Sequence, residues 1–189
     1  MSFDKAPHLL TDWQSGESLL SQNVDIGPPG YATALYDGCF AGIEKLQSGR
    51  NLNRALILFS DGLDNLSRHT FKQLRDFLKD SELMLYGVGL TQGNDVGSSL
   101  GIEGSGIMDE LAETTGGETR YPKDKKELAT QLEVLAVELH HQYRIGFRAD
   151  QGSPKRKWHR LKLKVVPRPD DPKEFFKLTV RTRQGYYTH

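Results

Sequence analysis

Apolar residues recur along this chain with three different periods, and each change of period marks a change of structure. Leu35, Cys39, Ile43 and Leu46 fall on one helical face, with Glu44 and Lys45 on the other, and Gly49 supplies a natural stop. Residues Ala55 to Phe59 form an unbroken apolar run, the pattern of a strand with helices on both of its faces. Thr70-x-x-Gln73 reads as a capping box opening a helix whose stripe is Phe71, Leu74, Phe77 and Leu78, ending near Lys79. Glu82 to Val88 is a second buried-strand run. A short helix is expected over Ile107–Thr115 and a short strand over Gly117–Pro122. A long helix follows over Asp124–Tyr143, with a stripe of Leu128, Leu132, Leu135 and Leu139.

From Tyr143 onward the period falls to two. Tyr143, Ile145 and Phe147 alternate with Arg144 and Arg148; Leu161, Leu163 and Val165 alternate with Lys162 and Lys164. Phe176, Leu178 and Val180 alternate with Lys177, Thr179 and Arg181, which predicts three half-buried antiparallel strands. The remainder is less regular. Ser2 to Leu10 shows little alternation, and Pro7 demotes any strand there to an edge. Glu17–Gln22 suits a short helix, Gly27–Gly30 a loop, and the Gly- and Ser-rich stretch Thr91–Gly106 a long loop. The expected architecture is therefore α/β: a Rossmann-like three-layer body over 1–142, then a C-terminal antiparallel β extension over 143–189.

Composition agrees with a folded chain of ordinary domain size, 37% hydrophobic and 26% charged over 189 residues. No stretch approaches the roughly 20 apolar residues of a membrane-spanning helix, and MSFDKAPHLL lacks the pattern of a signal peptide. The zero net charge hides an asymmetry. Residues 1–143 hold 12 Lys and Arg against 21 Asp and Glu, whereas residues 144–189 hold 13 against 4. A basic tail of this kind can dock on an acidic body. The other use of a basic tail is nucleic-acid binding, with Trp158, Tyr186 and Tyr187 as stacking platforms. No RNA-binding module signature accompanies those residues, so no nucleic-acid partner is expected. Cys39, the single cysteine, sits on a helical stripe and reads as a small buried hydrophobe.

Candidate chemistry concentrates where the first apolar run stops, at Ser60-Asp61-Gly62. Open α/β sheets bind ligands at the carboxyl ends of their strands, although acidic residues and Gly also end strands simply to turn. Thr33, at the mouth of the helix that contains Leu35, has a hydroxyl suited to capping. GVGLTQG does not have the dinucleotide spacing and opens a loop rather than a helix. His140 and His141 are adjacent and point to different helix faces, which suits a helix-end charge complement better than a chelate. A strand-tip aspartate also suits a phosphoacceptor or a metal-assisted hydrolase. The companion residues of those enzymes are missing, so no enzyme is expected.

The order of elements, with Thr33-Ala34-Leu35-Tyr36-Asp37, Ser60-Asp61-Gly62-Leu63-Asp64-Asn65, Tyr86-Gly87-Val88-Gly89 and Gly185-Tyr186, resembles the von Willebrand factor A domain of bacterial VWFA-related proteins. That resemblance implies a protein-interaction or adhesion module with a metal-ion-dependent adhesion site. Carried over residue by residue, Thr33 would supply the hydroxyl ligand of a Mg²⁺ ion and Asp61 the carboxylate, with Ser60 and Asp64 behind them. The family's Asp-x-Ser-x-Ser motif does not occur in these residues. The resemblance therefore implies an incomplete site, weak Mg²⁺ binding, and a sheet short of a central strand and prone to self-association. It also implies an extracytoplasmic or envelope setting and a protein ligand of unspecified identity.

Overall fold

The computed structural model describes residues 1–14, 32–90, 97–148, 157–178 and 180–188, with the side chains of 174 and 176 left aside. The proposed helix at 17–22, the loop at 27–30 and part of the loop beginning at Thr91 lie outside these residues. The described elements are a short hairpin of β1 (Ser2–Phe3) and β2 (Pro7–His8), then α1 (Leu35–Gln47), β3 (Ala55–Ser60), α2 (Phe71–Asp80), β4 (Met84–Gly89), α3 (Ser99–Thr115), β5 (Thr119–Arg120) and α4 (Lys125–His140). The tail holds β6 (Trp158–Arg160), a 3-10 turn at Lys173–Lys177 and β7 (Gly185–Tyr187).

Strands β3, β4 and β5 form a parallel sheet in that spatial order. Ala55 to Ser60 pair with Met84 to Gly89 without a slip. Parallel neighbours joined by right-handed crossovers that advance in one direction place their connecting helices on one face. Accordingly, one core cluster unites Leu35, Cys39 and Ile43 of α1, Leu74 and Leu78 of α2, and Met108, Leu111 and Ala112 of α3 with Leu58 and Leu85 of the strands. The side chains of neighbouring strand residues point to opposite faces, so Ile57, Phe59, Tyr86, Val88 and Arg120 share the other face. There α4 provides the cover: Gln131 O accepts from Arg120 Nη1, and Gln142, just beyond the helix, donates to Tyr86 Oη. The body is thus a mixed α/β unit, a parallel sheet flanked by helices.

The expectation of cover on both faces holds for β4 but not for β3. Tyr86 and Val88 are 3% and 2% exposed, whereas Ile57 and Phe59 remain 38% and 43% exposed. The bonds made by α4 and by the residue just beyond its end reach Arg120 of β5 and Tyr86 of β4.

Two further expectations are corrected. The Gly-rich stretch read as loop to Gly106 is helical from Ser99, because α3 is much longer than its apolar stripe suggests. Ser98 caps it by accepting from Gly101 N, and Gly104 lets its backbone meet the turn after β3, where a Cβ would lie 2.2 Å from Asp61 O. At Gly104 the residue that lowers helix propensity is the one the crossing requires.

Among the described residues the tail shows two short strands rather than three. Trp158–Arg160 pairs antiparallel with Gly185–Tyr187, while 143–148 and 161–166 carry no strand and Phe175 lies in the 3-10 turn. Leu178 is exposed. The alternating pattern is real, but without a sheet to bury it the period alone did not produce a ladder. Docking of basic tail on acidic body is observed. Arg181 joins Arg120 in bridging Glu118 and Glu138, and Arg183 donates to the carbonyls of Lys79 and Ser81 at the end of α2.

Candidate functional site

Helix α1 begins with a deficit. Its N-cap residue is Ala34, which has no side chain able to accept from the first amides, and Thr33 precedes the cap rather than forming it. Uncapped amides at a helix start must find partners elsewhere. Here they find them in the loop after β3. Asp64 Oδ2 accepts from Tyr36 N at 3.1 Å, and Ser67 Oγ accepts from Asp37 N at 3.0 Å. Asn65 Oδ1 accepts from Thr33 N at 2.8 Å, while Thr33 O accepts from the amides of Asn65 and Leu66.

The exchange is reciprocal. Asp37, in the first turn of α1 and 6% exposed, accepts from the amides of Arg68 and His69, from Arg68 Nε at 3.2 Å, and from His69. His69 Nδ1 lies 2.6 Å from Asp37 Oδ1; a carboxylate only accepts, so the imidazole carries a proton on Nδ1. The ring stacks on Phe40 at 3.9 Å between centroids, and Phe40 stacks on Phe77. Burial alone would push the Asp37 carboxyl up, but the hydrogen bonds from His69 and Arg68 outweigh it and hold the group at about 2. An ionised aspartate here also sits well against the positive end of the helix dipole.

Strand β3 ends at Ser60, whose hydroxyl accepts from Gly62 N. Gly62 has φ +85°, and a Cβ there would lie 2.0 Å from Gly104 O, so this turn admits only glycine. Asp61 is exposed, its Oδ1 accepting from Leu63 N at 3.0 Å. Thr33 and Asp61 therefore belong to one rim, at the carboxyl end of β3, but Thr33 is fastened to Asn65 rather than to Asp61.

The donor set fits a divalent cation only in part. Asp61 offers a solvent-facing carboxylate, and Mg²⁺ can be held through one or two carboxylates while keeping its waters. Asp64 is turned inward: its two oxygens accept from Tyr36 N, Ser67 N and Ser67 Oγ. Among the described residues, no group of three His, Cys, Asp or Glu is arranged to hold a metal ion. The rim suits a hydrated ion held loosely at Asp61, not a caged one.

Ser67, Arg68 and His69 escaped the sequence reading, and Asp37 entered it only as the last residue of the TALYD motif. The signal that could have found them is the empty cap at Ala34, since a helix start with no capping side chain requires donors' partners from a distant segment. Cys39 is buried and its thiol is pushed up to about 12 by that burial, which leaves it unreactive. His140 and His141 each bond the carbonyl four residues earlier, on the last turn of α4. Trp158 packs edge-on against Tyr187, and Tyr186 stacks against His159.

Among the described residues no helix is long and apolar enough to cross a membrane. No protein-family model matches the chain, and no curated protein does. Among solved structures it is similar to the crystal structure of an uncharacterized membrane spanning protein from Vibrio fischeri, at 17% identity over 72% of each chain with a TM-score of 0.37. A likeness of that size carries no argument about fold or function.

Proposed function

We propose that this chain is a non-enzymatic protein-interaction module of von Willebrand A type whose metal-ion-dependent adhesion site is incomplete. One observation carries the reading: the two loops bearing the TALYD and SDGLDN motifs are stitched side by side at the carboxyl edge of a parallel sheet. An edge of that kind is where α/β sheets take ligands. On this reading Asp61 is the group that meets a cation or a partner's donor. Thr33 lines the same rim, and the interlock from Asp37 to His69 keeps the rim rigid. Mg²⁺ would be bound no tighter than roughly millimolar, because most of its shell must remain water.

A second reading has its own observation. The oxygens of Asp37 and Asp64 are consumed in holding two segments together, which is what a structural domain with a vestigial site would show. Amide chemical-shift titration with Mg²⁺, repeated with Mn²⁺ for paramagnetic broadening, separates the two. Shifts confined to Thr33 and Asp61–Leu63, saturating in the millimolar range and lost in Asp61→Ala, support the interaction module. A rim that stays silent at tens of millimolar leaves the structural reading. Micromolar binding would show that the site is complete after all.

A further inference from the structure

We infer that two copies of this chain pair through β3, edge to edge and antiparallel, to make one continuous sheet. This inference does not rest on the rim or on any metal. Strand β3 stands at the end of its sheet, and among the described residues no strand pairs with its outer edge. Natural sheets blunt such edges with a charge, a proline or a bulge. ALILFS contains none of these, and it pairs with β4 over its whole length without a bulge. Beside that edge, Ile57 and Phe59 are 38% and 43% exposed, on the face opposite the core cluster.

The strand is also self-complementary. A two-fold axis normal to the sheet makes the pairing antiparallel and keeps the helix-covered faces on one side. Side chains from one face then meet only their counterparts from the same face. With Leu58 opposite Leu58 of the second copy, Ile57 faces Phe59 of the second copy, and the converse pair forms across the axis. Aromatic and β-branched residues in direct opposition are favourable cross-strand pairs. Centring on Ile57 instead would oppose Phe59 with Ala55 and lose both contacts.

Charge selects the direction. Arg50 and Arg54 lie at the amino end of the strand and Asp61 at its carboxyl end. Antiparallel copies set Asp61 opposite Ala55 and the acidic end of one strand against the basic end of the other, where Arg54 also donates to the carbonyls of Gln47 and Gly49; parallel copies would set like charge against like. A symmetric interface of this type is isologous and closes at two chains.

Sedimentation equilibrium of the full chain over a concentration series tests the inference. The expected mass rises to twice the 21.3 kDa of one chain, and Phe59→Lys and Ile57→Lys each hold it at one. Both positions are exposed, so an unchanged far-ultraviolet circular dichroism spectrum and melting temperature identify a folded monomer. A Thr substitution at Phe59 serves if the Lys variant does not fold. Register is read by oxidation: Ile57→Cys mixed with Phe59→Cys should form a disulfide-linked pair, and neither variant alone should do so. A wild-type chain that stays monomeric at every concentration overturns the proposal. So does a dimer indifferent to Phe59→Lys, and a link formed by Ile57→Cys alone overturns the register.

Discussion

Strands β3 and β4 are hydrogen-bonded neighbours in full register, yet they live in different surroundings on one of their two faces. Toward α1, α2 and α3 both are sealed: Leu58 and Leu85 belong to the same core cluster. Toward α4 only β4 is sealed, for Tyr86 and Val88 are buried while Ile57 and Phe59 are not. The chemistry of the side chains does not distinguish the two strands. What distinguishes them is position: β4 and β5 hold the residues bonded to α4 and its following turn, Tyr86 and Arg120, and β3 is the strand farthest from β5. Burial on this face is therefore set by topology and not by hydrophobicity.

The largest effect that sharpens the contrast is on the sealed face. Leu85 is fully buried, between three helices and a neighbouring strand, so Leu85→Ala should cost roughly 2–5 kcal/mol through lost burial and the cavity left behind. Urea denaturation followed by circular dichroism reads it. A cost below about 1 kcal/mol would mean that the face is as loosely packed as the open one.

Next in size is the interlock that holds α1 on that face. Asp37→Asn keeps the shape but turns an amide toward groups that are themselves donors, and should cost about 2 kcal/mol. The pH dependence follows from the depressed carboxyl. Asp37 falls from its ordinary 3.8 to about 2 on folding. Its contribution is therefore complete above the unfolded value and is lost as pH falls through the folded one. The gap in stability between the native chain and Asp37→Asn should be constant from pH 7 to about 5 and close between pH 4 and 2. A gap that persists unchanged at pH 2 would show that the carboxylate charge is not the source.

How much of this was legible in the residues depends on how local the cause is. The capping box at Thr70 and Gln73 is present as read, and Asp124 caps α4 by accepting from Glu127 N. Both are settled within four residues. The parallel sheet and its flanking helices also follow from period. The first half of α3 was missed because its glycines weaken a helix locally, while the crossing with Gly62 that demands Gly104 is remote. The tail failed in the opposite sense, for a period of two promised three strands where the described residues pair two short ones. At the rim, Thr33 and Asp61 could be placed on one edge by topology. The partners of Asp37, 31 and 32 residues away, could not.

The smallest expected effect is the most discriminating. Phe59 lies on the same strand as Leu58, one residue away, and in sequence the larger aromatic side chain would be expected to matter more. In the fold it is 43% exposed, beside nothing that α4 provides. Phe59→Thr removes apolar surface that is already largely wet, and replaces it with a residue well suited to a strand. Its cost to the single chain should lie within about 0.5 kcal/mol, the range of surface substitutions away from special features. The measurement must be made in dilute protein, where each chain stands alone. There the native chain and Phe59→Thr should unfold at the same urea concentration. As protein concentration rises, mass action stabilises whichever form associates, so the native midpoint should climb while that of Phe59→Thr stays put. If the variant is already less stable by 2 kcal/mol or more when dilute, Phe59 is a core residue and the two faces of β3 are equivalent after all.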